Sequence, residues 1–291
     1  MQGFSPQVRG VLWMSGAVLS FCAMAIAARE LLRHMGTFEI LFFRTGIALI
    51  IVVALAWRAG FATLRTRRFG VHAWRNAAHL VGQSSWVYAI GALPLATVFA
   101  IEFTMPVWVA LLAALFLGER MTRERVAMLV LGLAGVLVIL RPGFGFFQPA
   151  ALVMLLGSLG FAVNMIGTKR LSSTDSPYAV LFWMSVIQTP VCLLVAAPAW
   201  VAPQAVDWPW LVGIGIGSFT AHYCLTRAMV LADATVVVPV DFFRLPLIAV
   251  VGVAFYGEPF DPFVMLGAAM MFAGTYYSIA RKAVPVGAAA P

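Results

Sequence analysis

Hydrophobic residues form long runs along this chain, and short polar segments separate them. A helix needs about 20 mainly apolar residues to cross the hydrocarbon core of a membrane. Stretches that contain no Asp, Glu, Lys or Arg include residues 11–28, 142–168, 176–206, 208–226 and 262–280. The pattern therefore predicts an all-α integral membrane protein with several transmembrane helices.

Turn residues and charges divide the chain into ten predicted spans. They cover residues 9–28, 37–57, 73–92, 95–117, 124–140, 149–169, 177–198, 208–231, 234–256 and 262–280. The first span also resembles a signal peptide. It has a basic residue, Arg9, then an apolar core, and then Ala25-Ile26-Ala27, which resembles a cleavage site. Because cleavage would break the repeat described next, we predict that this segment is retained as the first helix.

An internal repeat divides the chain into two predicted halves, 1–145 and 146–291. Three elements of the first half, Ala96-Thr97-Val98, Glu102 and Gly118-Glu119, recur as Ala234-Thr235-Val236, Asp241 and Gly257-Glu258. Residues 39–44 likewise align with residues 178–183. Each half has an odd number of spans, so the second half must insert upside down. Inverted repeats are typical of secondary transporters, whose substrate site lies near the midplane where the halves meet.

Composition and charge agree with a membrane location. Hydrophobic residues make up 63% of the chain, charged residues only 10%, and the mean hydropathy is +0.97. A soluble chain of this length needs a more polar surface. The net charge of +8 is spread over the loops and not gathered in a basic domain, so we expect no nucleic-acid partner.

The distribution of Lys and Arg predicts the orientation of the chain. With the N-terminus in the cytoplasm, the cytoplasmic loops and ends contain 14 of the 19 Lys and Arg residues. The outer side then contains only Arg29, Arg33 and Arg141, while Arg44 and Arg244 lie inside spans. We therefore predict a bacterial inner-membrane protein with both termini in the cytoplasm.

These features together resemble a known group of proteins. Ten spans in two halves, Arg44 in the second span and the paired Gly-Glu sequences resemble the drug/metabolite transporter superfamily, and within it the EamA-type branch. The resemblance extends from about Val8 to Ala280. It implies a basket-like bundle whose central cavity opens alternately to each side of the membrane.

Within that branch the chain is most similar to the YddG group, which exports aromatic and other apolar amino acids. The resemblance implies export of compounds such as phenylalanine or methionine, with other small metabolites or drugs as the alternative. A membrane enzyme or a structural subunit is the alternative from another class, but HExxH, GxSxG and Walker A motifs are absent from the sequence. We expect no cofactor and no metal, and either a monomer or a weak homo-oligomer.

Ionisable side chains inside spans are costly to bury, which makes them candidates for function. Asp241 and Arg244 lie three residues apart on one helix face and can form an ion pair. Arg44 matches the second-span arginine of the family that the chain resembles, and we assign all three residues to structural or gating ion pairs. Glu102 has no basic neighbour on its own helix, so it either binds a substrate ammonium group or a coupling proton, or pairs with Arg44.

Prolines predict breaks in the fourth and ninth spans. Pro106 follows Glu102 by four residues, and Pro246 follows Phe242 by four. Because proline has no backbone N–H, the carbonyl groups of Glu102 and Phe242 lose the hydrogen bond that a helix would give them. Broken helices at equivalent places in both halves indicate the cavity. Ordinary proline kinking of membrane helices is the alternative.

The third span has the clearest polar stripe. Its residues recur at spacings of four, four and three on one helix face: Arg75, His79, Gln83 and Trp86. The eighth span, its equivalent by the repeat, contributes His222 and the neighbouring Tyr223. Polar stripes facing lipid are expensive, so we expect these faces to meet protein or water. The histidines either carry protons or are neutral, hydrogen-bonded residues.

Aromatic side chains near the stripe suit a flat apolar ligand, because rings stack on one another and on cations. Packing and the interfacial aromatic belt are the alternatives. Asn164 is the one amide of the sixth span, and Gly213-x-x-x-Gly217 in the eighth predicts close helix packing. The predicted substrate site comprises His79, Gln83, Trp86, Tyr88, Glu102, Asn164, Trp183, His222 and Tyr223.

Overall fold

A computed structural model describes residues 5–117, 121–141, 148–171, 173–232 and 234–282. Every regular element in these residues is helical, which confirms the all-α prediction. The helices are α1 (Pro6–Leu31), α2 (Thr37–Ala59), α3 (Phe69–Ala92), α4 (Leu95–Glu102), α5 (Met105–Leu117), α6 (Arg123–Leu140), α7 (Pro149–Leu171), α8 (Pro177–Ala196), α9 (Trp208–Leu231), α10 (Ala234–Phe242), α11 (Arg244–Tyr256) and α12 (Pro262–Lys282). Short 3-10 turns occupy Phe61–Leu64 and Ala197–Ala199.

The ten predicted spans all coincide with helices, and the fourth and ninth are each divided in two. Seven of the segments described are long and apolar enough to cross a membrane. The other three predicted spans are α3, α6 and α9. Polar side chains reduce the hydropathy of α3 and α9, and α6 has only 18 residues and begins with Arg123-Glu124-Arg125. The total of ten spans stays a prediction.

Helix packing is repeated between the two halves. α1 packs along α9 as α7 packs along α3, and the corresponding helices α2 and α8, and α6 and α12, pack against each other. The pairing is symmetric: when each helix is replaced by its equivalent in the other half, the same set of helix pairs results. The packing is therefore that of a two-repeat bundle, as the sequence repeat predicts.

The fourth and ninth spans are both interrupted where Pro106 and Pro246 predict a break. Two residues separate α4 from α5, and a single residue separates α10 from α11. Each proline lies in the first turn of the segment that follows the break. Backbone N–H groups in the first turn have no acceptor within the helix, so the N–H that proline lacks is not needed there. Three ionisable residues, Glu102, Asp241 and Arg244, therefore lie at helix ends inside the bundle.

The structure shows contacts between segments that are predicted to lie on the same side of the membrane. At the predicted outer end, Arg29 Nη2 donates to the Leu93 carbonyl at 2.7 Å. At the predicted cytoplasmic end, Ser176 Oγ donates to the Thr63 carbonyl at 2.6 Å. Both contacts agree with helices that alternate in direction, and which end faces the cytoplasm stays a prediction.

The repeated Gly-Glu sequence ends α11 and ties it to two other helices. Gly257 has φ +62°, the left-handed conformation that ends helices and that glycine adopts without strain. The Glu258 carboxylate pairs with Arg29 at 2.7 Å and accepts from the N–H of Leu95, the first residue of α4, at 2.8 Å. We call Arg29, Leu95 and Glu258 the outer latch. The equivalent Gly118-Glu119 lies outside the described residues.

Glycines allow close contact between α3 and α7. A methyl group at Gly160 would lie 2.7 Å from the carbonyl oxygen of Ala78, closer than van der Waals contact permits. In the predicted packing motif of α9, only Gly217 is in close contact, where a methyl group would lie 2.8 Å from Met24 Cγ. At Gly213 a methyl group would meet nothing within 4 Å, so that half of the prediction is wrong.

We expect Gly160→Ala to lower the free energy of unfolding by about 1–3 kcal/mol, because the added methyl group meets backbone that cannot easily move. Gly213→Ala is the matched control, since it adds the same group to a helix at a position with open space. It should be neutral or slightly stabilising. Thermal unfolding of both variants in detergent measures the difference, and equal melting temperatures would contradict the close packing of α3 on α7.

The orientation can be tested with single cysteines in a background without the native ones. We expect Arg65→Cys and Arg281→Cys to react with a membrane-impermeant thiol reagent only after cells are permeabilised. His34→Cys, in the exposed loop at the other end, should react in intact cells. Labelling of the first two positions from outside would show that the predicted orientation is inverted.

Candidate functional site

The polar stripe of α3 lies against protein and not against lipid. Arg75, His79 and Gln83 have exposed fractions of only 3%, 1% and 7%. α7 and α8 pack against α3, whereas Trp74 and Val81 on another face are exposed. The prediction that the stripe faces the interior is therefore confirmed, as expected from the cost of placing these groups in lipid.

His79 is the centre of a hydrogen-bonded chain that joins the two halves. The side-chain amide nitrogen of Gln188, on α8, donates to His79 Nδ1 at 2.9 Å. Because Nδ1 accepts, the neutral ring carries its proton on Nε2, which lies 3.3 Å from the side-chain amide of Gln83, one turn further along α3, and donates to the oxygen of this amide once the amide is turned over. The ring of His222, on α9, has its centroid 6.0 Å from that of His79. The structure thus brings together three predicted site residues from both halves.

Several buried polar atoms around His79 have no hydrogen-bond partner within the described ranges. They are Arg44 Nε and Nη2, Gln83 Oε1, Gln188 Oε1 and His222 Nε2. Buried polar groups are nearly always bonded in native proteins, so free donors and acceptors at one place indicate a site for water or a polar ligand. We call Arg44, His79, Gln83, Gln188 and His222 the central polar cluster.

Arg44 enters this cluster from α2. Its exposed fraction is 2%, and it lies within electrostatic range of both histidines of the cluster. The next residue, Thr45, accepts a hydrogen bond of 2.9 Å from Thr189, which follows Gln188 on α8. The contact between α2 and α8 therefore brings the segment of α2 that carries Arg44 close to the segment of α8 that carries Gln188.

Arg44 forms no ion pair among the residues that the structure describes, which contradicts its predicted role in one. Glu39, on the same helix, instead accepts hydrogen bonds from the backbone N–H groups of Gly36 and Val201. Glu102, the predicted alternative partner, is bonded elsewhere, as described below. Arg44 is therefore a buried cation whose potential carboxylate partners are occupied by other donors.

Arg75 is a second buried guanidinium group that bonds to neutral side chains. Its Nε donates to Thr168 Oγ1 at 2.8 Å and its Nη1 to Asn76 Oδ1 at 3.3 Å. Asn164 lies one turn before Thr168 on α7, and its side-chain oxygen is buried without a partner in the part of the chain described. Asn164 therefore lies at the Arg75 end of the stripe.

Glu102, Asp241 and Arg244 form an ion triad at the breaks of the fourth and ninth spans. Arg244 Nη1 lies 3.0 Å from Glu102 Oε1, and Arg244 Nε lies 2.8 Å from Asp241 Oδ1. Trp86 Nε1 donates to the other oxygen of Glu102 at 2.9 Å. The Asp241–Arg244 pair is confirmed, whereas the Glu102–Arg44 pair is wrong because an arginine of the other half binds Glu102.

Aromatic rings enclose the guanidinium group of Arg244. Its Cζ lies 4.7 Å, 5.7 Å and 5.0 Å from the ring centroids of Phe21, Phe99 and Phe103, respectively. Cation–π contacts and two carboxylates compensate the charge. The two carboxylates thus compensate the charge of Arg244, whereas the central polar cluster contains a guanidinium group with no carboxylate among the described residues.

Three predicted aromatic site residues lie away from the central polar cluster. Tyr88 is 49% exposed, and Trp183 donates to the Leu64 carbonyl at 3.0 Å near the predicted cytoplasmic end. Tyr223 packs against α1. For Tyr88 and Tyr223 the reason is helix geometry, because a residue one or two positions from a predicted site residue, here Trp86 or His222, points in a different direction around the helix.

Gln188 is the central residue that was missed from the sequence. It has an exposed fraction of 1%, and its amide nitrogen also lies 3.3 Å from the Asn76 carbonyl oxygen. It is the one amide in the apolar seventh span. The rule that selected Asn164 in the sixth span would have found it.

A buried polar contact fixes the predicted cytoplasmic end. His72 Nε2 lies 2.8 Å from Asp175 Oδ2. Burial acts to raise the pKa of Asp175, but hydrogen bonds from His72, Thr66 and Thr174 lower this pKa below its usual value. The ionised carboxylate therefore holds the segment between α7 and α8 against the start of α3.

Comparison with known proteins agrees with this architecture. An S-adenosylmethionine uptake transporter of Rickettsia felis is 27% identical over 93% of this chain and 92% of its own. A riboflavin transporter of Brucella anthropi is 32% identical over 82% of this chain and 86% of its own. A solved crystal structure of another protein has a TM-score of 0.64 at 18% identity and covers 94% of this chain and 98% of its own, so the two share a fold.

The family match covers nearly the whole chain in two parts. The EamA-like transporter family matches residues 8–141 and again residues 148–280, once in each predicted half. Together with the repeated helix packing and the apolar helices, this shows a multi-pass membrane protein of the drug/metabolite transporter superfamily. The chain belongs to the EamA-like transporter family and is a transporter of small molecules.

Proposed function

We propose that this transporter exports aromatic and other apolar amino acids, such as phenylalanine and methionine, across the bacterial inner membrane. The central polar cluster is the observation that carries the proposal. It combines the free donors of Arg44 with a free acceptor, the amide oxygen of Gln188, in a buried setting. An α-amino acid carries a carboxylate that needs donors and an ammonium group that needs acceptors.

Aromatic side chains next to the cluster suit an apolar substrate side chain. The ring centroid of Phe161 lies 5.9 Å from that of His79, and the centroid of Phe21 lies 5.9 Å from that of His222. Ligand sites are typically lined by apolar groups with a few placed polar groups that set orientation. The surroundings of the cluster fit that composition.

The broken helices support transport by alternating access. At the predicted outer end, α4 packs on α11 and the outer latch joins them. Their equivalents at the other end, α5 and α10, make no comparable contact in the residues described. Inverted repeats alternate between these two arrangements when one half rocks against the other. We infer an inward-facing state, from which outward opening requires the outer latch to break.

The named relatives favour a second candidate, a larger metabolite. S-Adenosylmethionine is itself an α-amino acid, so the same free donors and acceptors suit it. Riboflavin carries no charged group at neutral pH and would use the aromatic surroundings more than the cluster. The Rickettsia felis relative is named for uptake, so transport direction is also part of the proposal.

Purified protein in liposomes is expected to accelerate the flux of labelled phenylalanine and methionine down a gradient, compared with protein-free liposomes. Unlabelled S-adenosylmethionine and riboflavin, added as competitors, separate the two candidates. Flux of either competitor with no flux of amino acids would overturn the substrate class. In cells, export predicts that expression of the protein lowers the accumulation of labelled phenylalanine, and raised accumulation would show uptake.

A further inference from the structure

We propose that Arg44 is the receptor for a carboxylate group of the transported molecule. This inference rests on the proposed function and names the group by which the central polar cluster recognises its substrate. The site that results is specific for small organic carboxylates with an apolar or aromatic side chain.

Among the described residues, Arg44 lacks the carboxylate partner that three other arginines of the bundle have, and it also lacks the neutral hydrogen-bond acceptors that Arg75 has in Thr168 and Asn76. Arg29, Arg141 and Arg244 each have a carboxylate partner, Glu258, Asp261 and the ion triad respectively. Arg44 is buried as deeply as Arg244 but has no carboxylate partner in the described ranges. An uncompensated charge inside a membrane protein is expensive, and such residues mark substrate pathways. An anionic group of the substrate would supply the missing counter-ion.

The two unbonded nitrogens of Arg44 define the shape of this anionic group. Nε and Nη2 lie on the same edge of the guanidinium plane, and both are buried without an acceptor among the residues described. This edge is a fork of two parallel N–H donors, which matches the two oxygens of one carboxylate. One fork suits a carboxylate better than a phosphate, whose additional charge and oxygens need further donors.

The surroundings of Arg44 strengthen the preference for an anion. His79, His222 and Arg75 all lie within electrostatic range of one another or of Arg44, and the carboxylates of the ion triad are already paired with Arg244. The other cluster atoms without a partner in the described residues are His222 Nε2 and the amide oxygens of the two glutamines. The amide oxygen of Gln188 suits the ammonium group of an amino acid but is not required for binding of a simple carboxylate.

The inference can be tested by binding to the purified full-length transporter in detergent. We expect 3-phenylpropionate to raise the melting temperature, and its neutral analogue 3-phenylpropanamide, equal in shape, to raise it far less. Inorganic phosphate should give no shift. An amide that stabilises the wild-type protein as well as the carboxylate does would overturn the inference, and this comparison needs no variant to fold.

Variants then assign the effect to Arg44. Loss of a charge-assisted hydrogen-bonded pair predicts that Arg44→Gln weakens 3-phenylpropionate binding by about tenfold or more, and Arg44→Lys, which keeps the charge but not the fork, by less. Arg58→Gln is the matched control, since it removes the same charge from an exposed position of α2 and should leave binding unchanged. Unaltered carboxylate binding in Arg44→Gln would overturn the assignment.

The same measurements separate this inference from the proposed function. Intact carboxylate binding with no flux of phenylalanine or methionine in liposomes would refute amino-acid transport and leave the Arg44 site standing. Amino-acid flux that phenylalaninamide inhibits as strongly as phenylalanine does would refute the Arg44 site and leave amino-acid transport standing.

Discussion

Arg244→Met is expected to lower the free energy of unfolding by about 3–5 kcal/mol, because it leaves two partly buried carboxylates without their counter-ion. Arg244 bonds to Glu102 at 3.0 Å and to Asp241 at 2.8 Å, and it is the single cation of the ion triad. These bonds join the broken helices of the two halves, so the loss should also loosen the contact between α4 and α11. Thermal and denaturant unfolding in detergent measure the change.

The control for this prediction is Arg33→Met. Arg33 pairs with Glu30 at 3.3 Å, but its side chain is 60% exposed, and exposed pairs contribute little. The two substitutions remove the same group and differ only in burial and partners. Similar melting temperatures for both variants would show that the ion triad does not hold the halves together. The triple variant, with Glu102 and Asp241 also replaced by amides, should recover stability if unpaired charge causes the loss.

Trp86→Ala is the second substitution with a large expected effect. Trp86 is only 7% exposed, and its indole N–H donates a hydrogen bond to the Glu102 carboxylate at 2.9 Å. Removal of a buried tryptophan opens a cavity and costs about 3–5 kcal/mol of stability. Trp86→Phe keeps most of the packing but removes the donor to Glu102, which costs about 1–3 kcal/mol. We expect unfolding measurements to rank the variants in that order.

Flux measurements distinguish this structural role of Trp86 from its predicted role in substrate binding. If Trp86 only supports the ion triad, transport per folded molecule should change little in Trp86→Phe. Tyr88→Ala is the control on the same helix, because Tyr88 is 49% exposed and surface changes usually alter stability by no more than about 0.5 kcal/mol. Unchanged stability with strongly reduced flux in Trp86→Ala would instead place the indole against the substrate.

Local pattern was sufficient for most of the fold. Each helix lies where a run of apolar residues predicts one, since the cost of unbonded backbone in lipid leaves few alternatives to a helix. Pro106 and Pro246 predict the breaks of the fourth and ninth spans because a proline removes a backbone donor, although α8 and α10 continue through Pro190 and Pro239. The stripe of Arg75, His79 and Gln83 had to face the interior for the same energetic reason.

Partner choice could not be obtained from the pattern. From the sequence, Arg44 is the predicted ion-pair partner of Glu102, and only the packing of α4 on α11 decides for Arg244. Gln188 belongs to the site because α8 lies against α2 and α3, which brings its amide to His79. Contacts between distant residues depend on helix rotation and crossing, and a single sequence constrains neither.

The sequence by itself determined the all-α membrane architecture, its two repeats and the polar faces of α3 and α9, because periodicity and the cost of exposing polar groups to lipid act locally. Only the tertiary structure decided which of those polar groups are satisfied. It satisfied Arg244 with two carboxylates and left Arg44 without one among the residues described. The physical reason is that a charge is compensated by whatever the packing brings within a few ångströms, and this proximity identifies the candidate site.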